Sequence, residues 1–332
     1  MNNSKRIILF IFLFCSCVST YAQDILLSQS YNNTQTIAPS FAGMFNGSKV
    51  TLAYRNQWAS VNRGRTYVTY TASADYFVER YNSGFGALFT GDVQGESVIR
   101  AFEGALQYNY RVQINKNLFF RPGIQVKFIS KSIDPEKLIF SENIAADGTI
   151  IDNSSYSYLD LESYKKVDVD VSGMLYNKYF WVAANIDHLV RNNVSFLGGT
   201  EKIPMRYSLA AGGNWIYKEK GNWRNPSAEM VTFGTLVQHQ GKFNQLDLGV
   251  TWTKNPMQFG VWYRNFFIPT ATKSSHDALI FVVGLGGEKF KISYSYDLSL
   301  SGLSDTSGGS HELTMNFYIN KKERSPIYFF CH

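Results

Sequence analysis

From residue 48 onward the chain alternates apolar and polar side chains with a period of two, in segments of about ten residues. A β-strand sends successive side chains to opposite faces, so each such segment carries one apolar and one polar face. The clearest is 245–254, with Leu246, Leu248, Val250 and Trp252 on one side and Asp247, Gly249, Thr251 and Thr253 on the other. Segment 289–298 sets Phe290, Ile292, Tyr294, Tyr296 and Leu298 against Lys289, Lys291, Ser293, Ser295 and Asp297. Segment 311–320 sets Leu313, Met315, Phe317 and Ile319 against Glu312, Thr314, Asn316 and Tyr318. A lipid exterior and a watery or plugged interior require that division.

Segments of this kind fall near 48–57, 66–77, 84–92, 98–111, 118–130, 166–177 and 179–190. They continue at 205–218, 228–240, 243–254, 256–267, 278–287, 289–300 and 310–320. Strands of a soluble β-sandwich average about 5–6 residues, whereas many of these are long enough for the ~9–11 residues of a tilted membrane strand. Bacterial single-chain barrels have an even number of strands. The pattern therefore predicts an all-β chain, an antiparallel transmembrane β-barrel of about 14 strands, and not an immunoglobulin or jelly-roll sandwich.

The connectors supply a topology. With the N-terminus on the periplasmic side, the turns after even-numbered strands should be short. They include Asn177-Lys178, Asn255-Pro256 and Gly287-Glu288, all rich in turn formers. The opposite set holds the long connectors 131–165, 191–204, 268–277 and 300–309. Two connectors break the rule: Gln240 to Lys242 is a short outer turn, and 219–227 a longish inner one.

Composition agrees. The chain is 17% charged and 16% aromatic, against about a quarter charged in soluble domains. Mean hydropathy is −0.18, too low for a bundle of membrane helices. Ahead of the strands, Lys5 and Arg6 precede an apolar run from Ile7 to Val18, then Thr20-Tyr21-Ala22. Those three parts read as a signal peptide over 1–22, with cleavage leaving Gln23 first; a lipoprotein reading at Cys17 has only the poor lipobox Phe14-Cys15-Ser16. Cleavage removes Cys15 and Cys17, leaving Cys331 and no intramolecular disulfide. It also removes two basic residues and no acids, so the formal charge falls from +6 to +4. Without a dense Lys/Arg cluster, that excess is no argument for nucleic acid.

Signatures of catalysis are missing from the sequence. His188, His239, His276, His311 and His332 show no H-x-x-x-H or H-E-x-x-H spacing. There is no G-x-S-x-G elbow and no phosphate loop. A set of His311, Asp297 and Ser310 can be drawn on paper, but His311 and Ser310 read as ordinary residues at the start of the last strand. The expectation is a non-enzymatic chain with no cofactor and no metal. Asp168 and Asp170 on the sixth strand read as lumen carboxylates, solvated or facing a cation or basic plug residues.

Residues 23–47 alternate poorly, and Pro39 and Gly43 in Ala38-Pro39-Ser40-Phe41-Ala42-Gly43 break any strand. The segment is too polar for lipid and either fills the lumen or hangs in the periplasm. Its aromatics Tyr31, Phe41 and Phe45 favour packing. The barrel then spans 48–320, and a tail over 321–332 turns from basic to apolar.

Several blocks resemble the PorP/SprF family, outer-membrane proteins of the type IX secretion and gliding machinery of Bacteroidetes. They are Gln23-Asp24 with Ser28-Gln29-Ser30-Tyr31, then Tyr54-Arg55-Asn56-Gln57-Trp58, then Tyr67, Ser73 and Asp75. Gly84-x-Gly86 follows with Asp92 and Gly95, and then the most specific stretch, 293–303, from Ser293-Tyr294-Ser295-Tyr296-Asp297 to Ser301-Gly302-Leu303. Gly308-Gly309-Ser310-His311-Glu312 closes the series. The family usually has Asn-Pro-Ala where this chain has Ala38-Pro39-Ser40, so no role for that asparagine carries over.

The resemblance implies a component that helps a large adhesin-like cargo reach the surface. Its implied partners are the secretion translocon, the periplasmic ring lipoproteins and the cargo's C-terminal domain, within outer-membrane lipid. The topology places Tyr54 to Trp58, Asp92 with Gly95, Asp297, Ser301 to Leu303, Gly308, Gly309 and His311 toward one extracellular rim. That rim is either a docking surface or a set of loop and closure elements. A porin or small-solute transporter is the competing reading.

Overall fold

The computed structural model describes residues 24–45, 47–61, 67–95, 98–135, 138, 144, 163–196, 199–221, 226–267, 275–287, 289–300 and 308–319. The leader 1–22, the tail 321–332 with Cys331, and Ser301, Gly302 and Leu303 lie outside them.

Fourteen strands follow in order: β1 Ser48–Gln57, β2 Tyr67–Val78, β3 Ser83–Gln94, β4 Ile99–Tyr110, β5 Phe119–Ile133, β6 Tyr164–Tyr176 and β7 Phe180–Asp187. The rest are β8 Arg206–Gly221, β9 Pro226–Gln240, β10 Phe243–Lys254, β11 Met257–Phe267, β12 Ser275–Gly286, β13 Phe290–Ser299 and β14 Ser310–Ile319. A two-residue piece, Val112–Gln113, continues β4 beyond a break at Arg111 and pairs with Phe119 and Phe120. Every strand pairs antiparallel with its sequence neighbours, and β1 closes the ring on β14, from Ser48↔Ile319 to Gln57↔Ser310. Closure leaves no strand edge, so backbone polar groups are satisfied within the wall, as a bilayer demands.

The predicted barrel is the observed fold, and its faces follow the period-two reading. Leu52, Tyr54, Tyr70, Phe89, Leu106, Leu248, Val250 and Phe281 are exposed on the outside, where lipid meets them. Thr51, Asp247, Thr251, Ser293, Ser295 and Thr314 are buried inside. Strand limits match the prediction to within a few residues. β7 stops at Asp187 instead of 190, because His188 takes a positive φ of 62° and turns the chain away. The 219–227 connector also shortens, since β8 extends to Gly221 and β9 starts at Pro226. Among the described residues no helix is long and apolar enough to cross a membrane.

The N-terminal segment lies inside this barrel. It forms two short 3-10 turns, Thr34–Thr36 and Pro39–Phe41. Extended Ala38 sits between them, as the residue before a proline prefers. Tyr31, Ile37, Ala38 and Phe41 pack with the inward side chains Trp181, Ala183, Ala210, Leu236, Trp262 and Ile280 in one apolar cluster. The segment runs the length of the lumen. Asp24 is at the long-loop end beside Gln240, and Gly43 is at the short-turn end beside Gly84.

Candidate functional site

The functional unit the geometry defines is the junction between this plug and the inner wall. It begins at the long-loop end with a charged cluster. Asp24 accepts from His188 Nε2 at 2.8 Å and pairs with Arg206 at 3.1 Å. His188 Nδ1 lies 2.6 Å from Asp168, and its backbone N–H donates to Asp170 at 3.0 Å. Arg206 also holds Asp187 at 2.8 Å, and Lys127 holds Asp170 at 3.1 Å. Burial opposes charge on His188, but Asp24 and Asp168 outweigh it and raise the imidazole to about 9. Burial likewise opposes charge on Asp24, yet His188 and Arg206 hold its carboxyl far below the usual range. His188 and Asp24 thus pair as ions at neutral pH, and the cluster joins the plug to β6, β7 and β8. Asp168 and Asp170 are fully buried lumen residues with these partners.

A second node lies next along the plug, two register positions in from the rim end of the β1–β14 seam. The inward set of β1 is Lys49, Thr51, Ala53 and Arg55. Arg55, 5% exposed, reaches Asp297 on β13 at 3.0 Å and Glu312 on β14 at 3.4 Å. One guanidinium cannot balance two buried carboxylates, and the plug supplies the remaining donors. Backbone N–H groups of Ser28 and Gln29 donate to Glu312 at 2.7 and 3.0 Å. The Ser28 hydroxyl donates to Asp297 and accepts from Arg55. Gln29 Nε2 donates to the Glu312 carbonyl at 3.0 Å and Ser295 Oγ at 3.2 Å. Beside them Arg264, paired with Asp247 at 3.0 Å, donates to the Leu27 carbonyl at 3.1 Å. Tyr31 stacks on Trp262 with centroids 4.7 Å apart and planes 6° from parallel.

Further down, Lys49 donates to the Asn32 carbonyl and Lys291 to its side-chain oxygen, each at 3.1 Å. Asp75 accepts from Gln35 at 2.7 Å and from the Gly43 N–H at 3.1 Å. Asn109 donates to the carbonyls of Pro39 and Ala42 at 2.9 and 2.8 Å. Here the plug backbone touches the wall. A Cβ on Gly123 would meet Ser40 N at 2.7 Å, and one on Gly84 would collide with the Ala42 carbonyl oxygen. These two strand positions need glycine for close approach of a second backbone.

The sequence-selected rim residues separate into groups. Arg55, Asp92 and Asp297 turn into the lumen, away from any outer surface, because each lies on its strand's inward parity. Asp92 accepts from Thr69 Oγ1 at 2.6 Å and Gln94 Nε2 at 2.7 Å. Trp58, Gly308 and Gly309 do sit at the rim, where they finish the closing seam. Trp58 has φ 60°, its N–H donates to the Gly309 carbonyl at 2.9 Å, and its ring packs on Tyr67. Gly308 and Gly309 have φ of 66° and 68°, a region that favours glycine. Gln57 pairs with Ser310 at that seam, and Gly95 takes φ 59° in the turn between β3 and β4. Tyr54 is exposed on the outer face against the Tyr70 ring, with Asn56 half-buried on the same parity. His311 also lies on the outer side, 2.6 Å from the Tyr294 hydroxyl, so it is not assembled with the inward Asp297 and Ser310.

Ser28, Gln29, His188, Glu312, Gly84 and Gly123 acquire roles that spacing alone had not assigned. Parity was the available signal for Glu312. For Ser28 and Gln29 there was none, because the plug has no period. Among the described residues no group of three or more His, Cys, Asp or Glu is disposed to hold a metal ion.

A closed antiparallel barrel with an apolar exterior and a lumen filled by its own N-terminal segment defines an outer-membrane β-barrel protein. The chain belongs to the PorP/SprF family: residues 19–317 match the type IX secretion system membrane protein PorP/SprF. No curated protein matches the sequence significantly. Similar solved structures include a TodX mutant monoaromatic hydrocarbon channel, at 9% identity and TM-score 0.46, covering 90% of this chain and 94% of that one. The Acinetobacter baumannii outer membrane protein Omp33 is similar at 8% identity and TM-score 0.45, covering 83% of this chain and 100% of the other.

Proposed function

We propose that this type IX secretion component works as a closed scaffold, helping a large adhesin-like cargo of the gliding and secretion machinery reach the cell surface. It does so through its rims, against the translocon, the periplasmic ring lipoproteins or the cargo's C-terminal domain, and it catalyses no reaction. The observation that carries this reading is the plug. Residues 24–45 occupy the lumen from one end to the other, held by buried ion pairs and hydrogen bonds at each level. A lumen used in that way offers neither cargo nor solute a ready path, so useful contacts fall on the surfaces. Family membership supplies the machinery in which those contacts are made.

The test is the surface and secreted proteome of a deletion strain compared with its parent. Loss of one or a few large surface proteins, with their precursors held in the periplasm, is the expected result. An unchanged surface proteome with altered uptake of a small solute would overturn the scaffold and favour a solute channel.

A further inference from the structure

Above the plug, at the long-loop end, the lumen opens into a cavity of about 990 Å³. Its floor is the start of the plug, Asp24 and Ile25. Its walls are the outer ends of β3, β4, β5 and β6 and the 188–205 connector, which folds back on itself through the Asn193↔Lys202 bridge. The outermost layer is basic. Lys166, Arg191, Lys202 and Lys242 are exposed there, with Glu201 as the exposed acid among the described lining residues.

Three of the deeper acids of the same walls are already engaged, and half-buried Glu103 on β4 also faces the cavity. Asp24 is held by His188 and Arg206, Asp168 by His188 and the Val190 N–H at 3.2 Å, and Asp92 by Thr69 and Gln94. Among the described residues, Lys166, Arg191 and Lys202 have no carboxylate within 4.0 Å. Half-buried Lys131 lies 5.9 Å from the centre of the Phe196 ring, so an apolar wall adjoins the charge. Among the described residues the outer layer of this mouth is thus mostly basic, above a floor in which Asp24 and Asp168 are ion-paired.

We propose that this vestibule binds an acidic peptide segment of a secreted partner, its carboxylates on Lys166, Arg191 and Lys202 and its apolar atoms along Phe196. The peptide assignment, as against another polyanion, rests on the secretion role proposed above; the anionic preference rests on the charges alone. Because Asp24 and Ile25 form the floor, a bound peptide touches the outer end of the plug.

The test uses the full-length protein in detergent micelles, with fluorescein-labelled hexaglutamate and hexalysine followed by anisotropy. Hexaglutamate should bind at least tenfold more tightly than hexalysine, and weaken as salt screens the exposed charges. The triple variant Lys166→Gln, Arg191→Gln, Lys202→Gln should lose at least tenfold in hexaglutamate affinity with an unchanged melting temperature, since all three side chains are exposed. Equal binding of both peptides, or full binding by the triple variant, would overturn the site. Binding of a sulfated oligosaccharide in the absence of hexaglutamate binding would overturn the peptide in favour of a saccharide. An unchanged surface proteome in the deletion strain would remove the secretion role and leave these binding curves readable on their own.

Discussion

Arg55 and Asp297 are 242 residues apart in the sequence and 3.0 Å apart inside the barrel. Their contact spans the seam region, since β1 carries one and β13 the other, with Glu312 on β14 between them. The plug completes the arrangement through Ser28 and Gln29. Closing the barrel and seating the plug therefore share one set of charges.

Arg55→Ala should leave Asp297 and Glu312 buried without a cation. Breaking a buried ion pair in this way costs roughly 3–5 kcal/mol. Adding Asp297→Ala should recover part of that loss, because one of the two stranded carboxylates is gone. Thermal unfolding followed by the gel mobility of folded and unfolded barrel reads both variants. Strictly additive losses would show that the two residues are not coupled.

The clamp at Asp24 should depend on pH. His188 is raised from 6.5 to about 9, so its stabilising contribution is complete below 6.5 and fades as pH rises through 9. Asp24 is lowered from 3.8, so its contribution is present above 3.8 and fades only in stronger acid. Amide protection in residues 24–30, taken relative to the unstructured exchange rate at each pH, should be greatest between these limits and fall between pH 7 and 9. His188→Gln should be less protected at neutral pH and lose that alkaline fall.

Gly123→Ala should push on the plug, because the new methyl would meet Ser40 N at 2.7 Å. Overpacking of this kind costs about 1–3 kcal/mol. Gly91→Ala is the matched control in the same barrel, since nothing lies within 4 Å of its Cβ position. A lowered melting temperature for the first and none for the second is the expected pair. Equal effects would mean that the glycines matter only as strand residues.

Much of this architecture was legible in the sequence because the bilayer imposes it locally. Lipid on one side and water or a plug on the other force a period of two, and that period marked the strands. Parity also carried information about Arg55: Lys49, Thr51 and Arg55 alternate with Val50, Leu52 and Tyr54, which assigns Arg55 to the lumen along with Asp297 and Glu312. Treating the block Tyr54 to Trp58 as one rim element obscured this, although its neighbours point opposite ways. The seating of Ser28 and Gln29 was not legible. A plug has no periodic face, and its partners on the wall look like any polar lumen residue until closure brings them together. The need for glycine at 84 and 123 was hidden for the same reason: what fills the space is plug backbone, at Ala42 and Ser40 respectively.

Planar bilayer conductance of the purified full chain tests the central claim most directly. The wild-type barrel should show no steady open current, and deletion of residues 24–45 should open a pore in those molecules that fold. A stable, porin-like conductance from the wild-type protein at neutral pH would contradict the account.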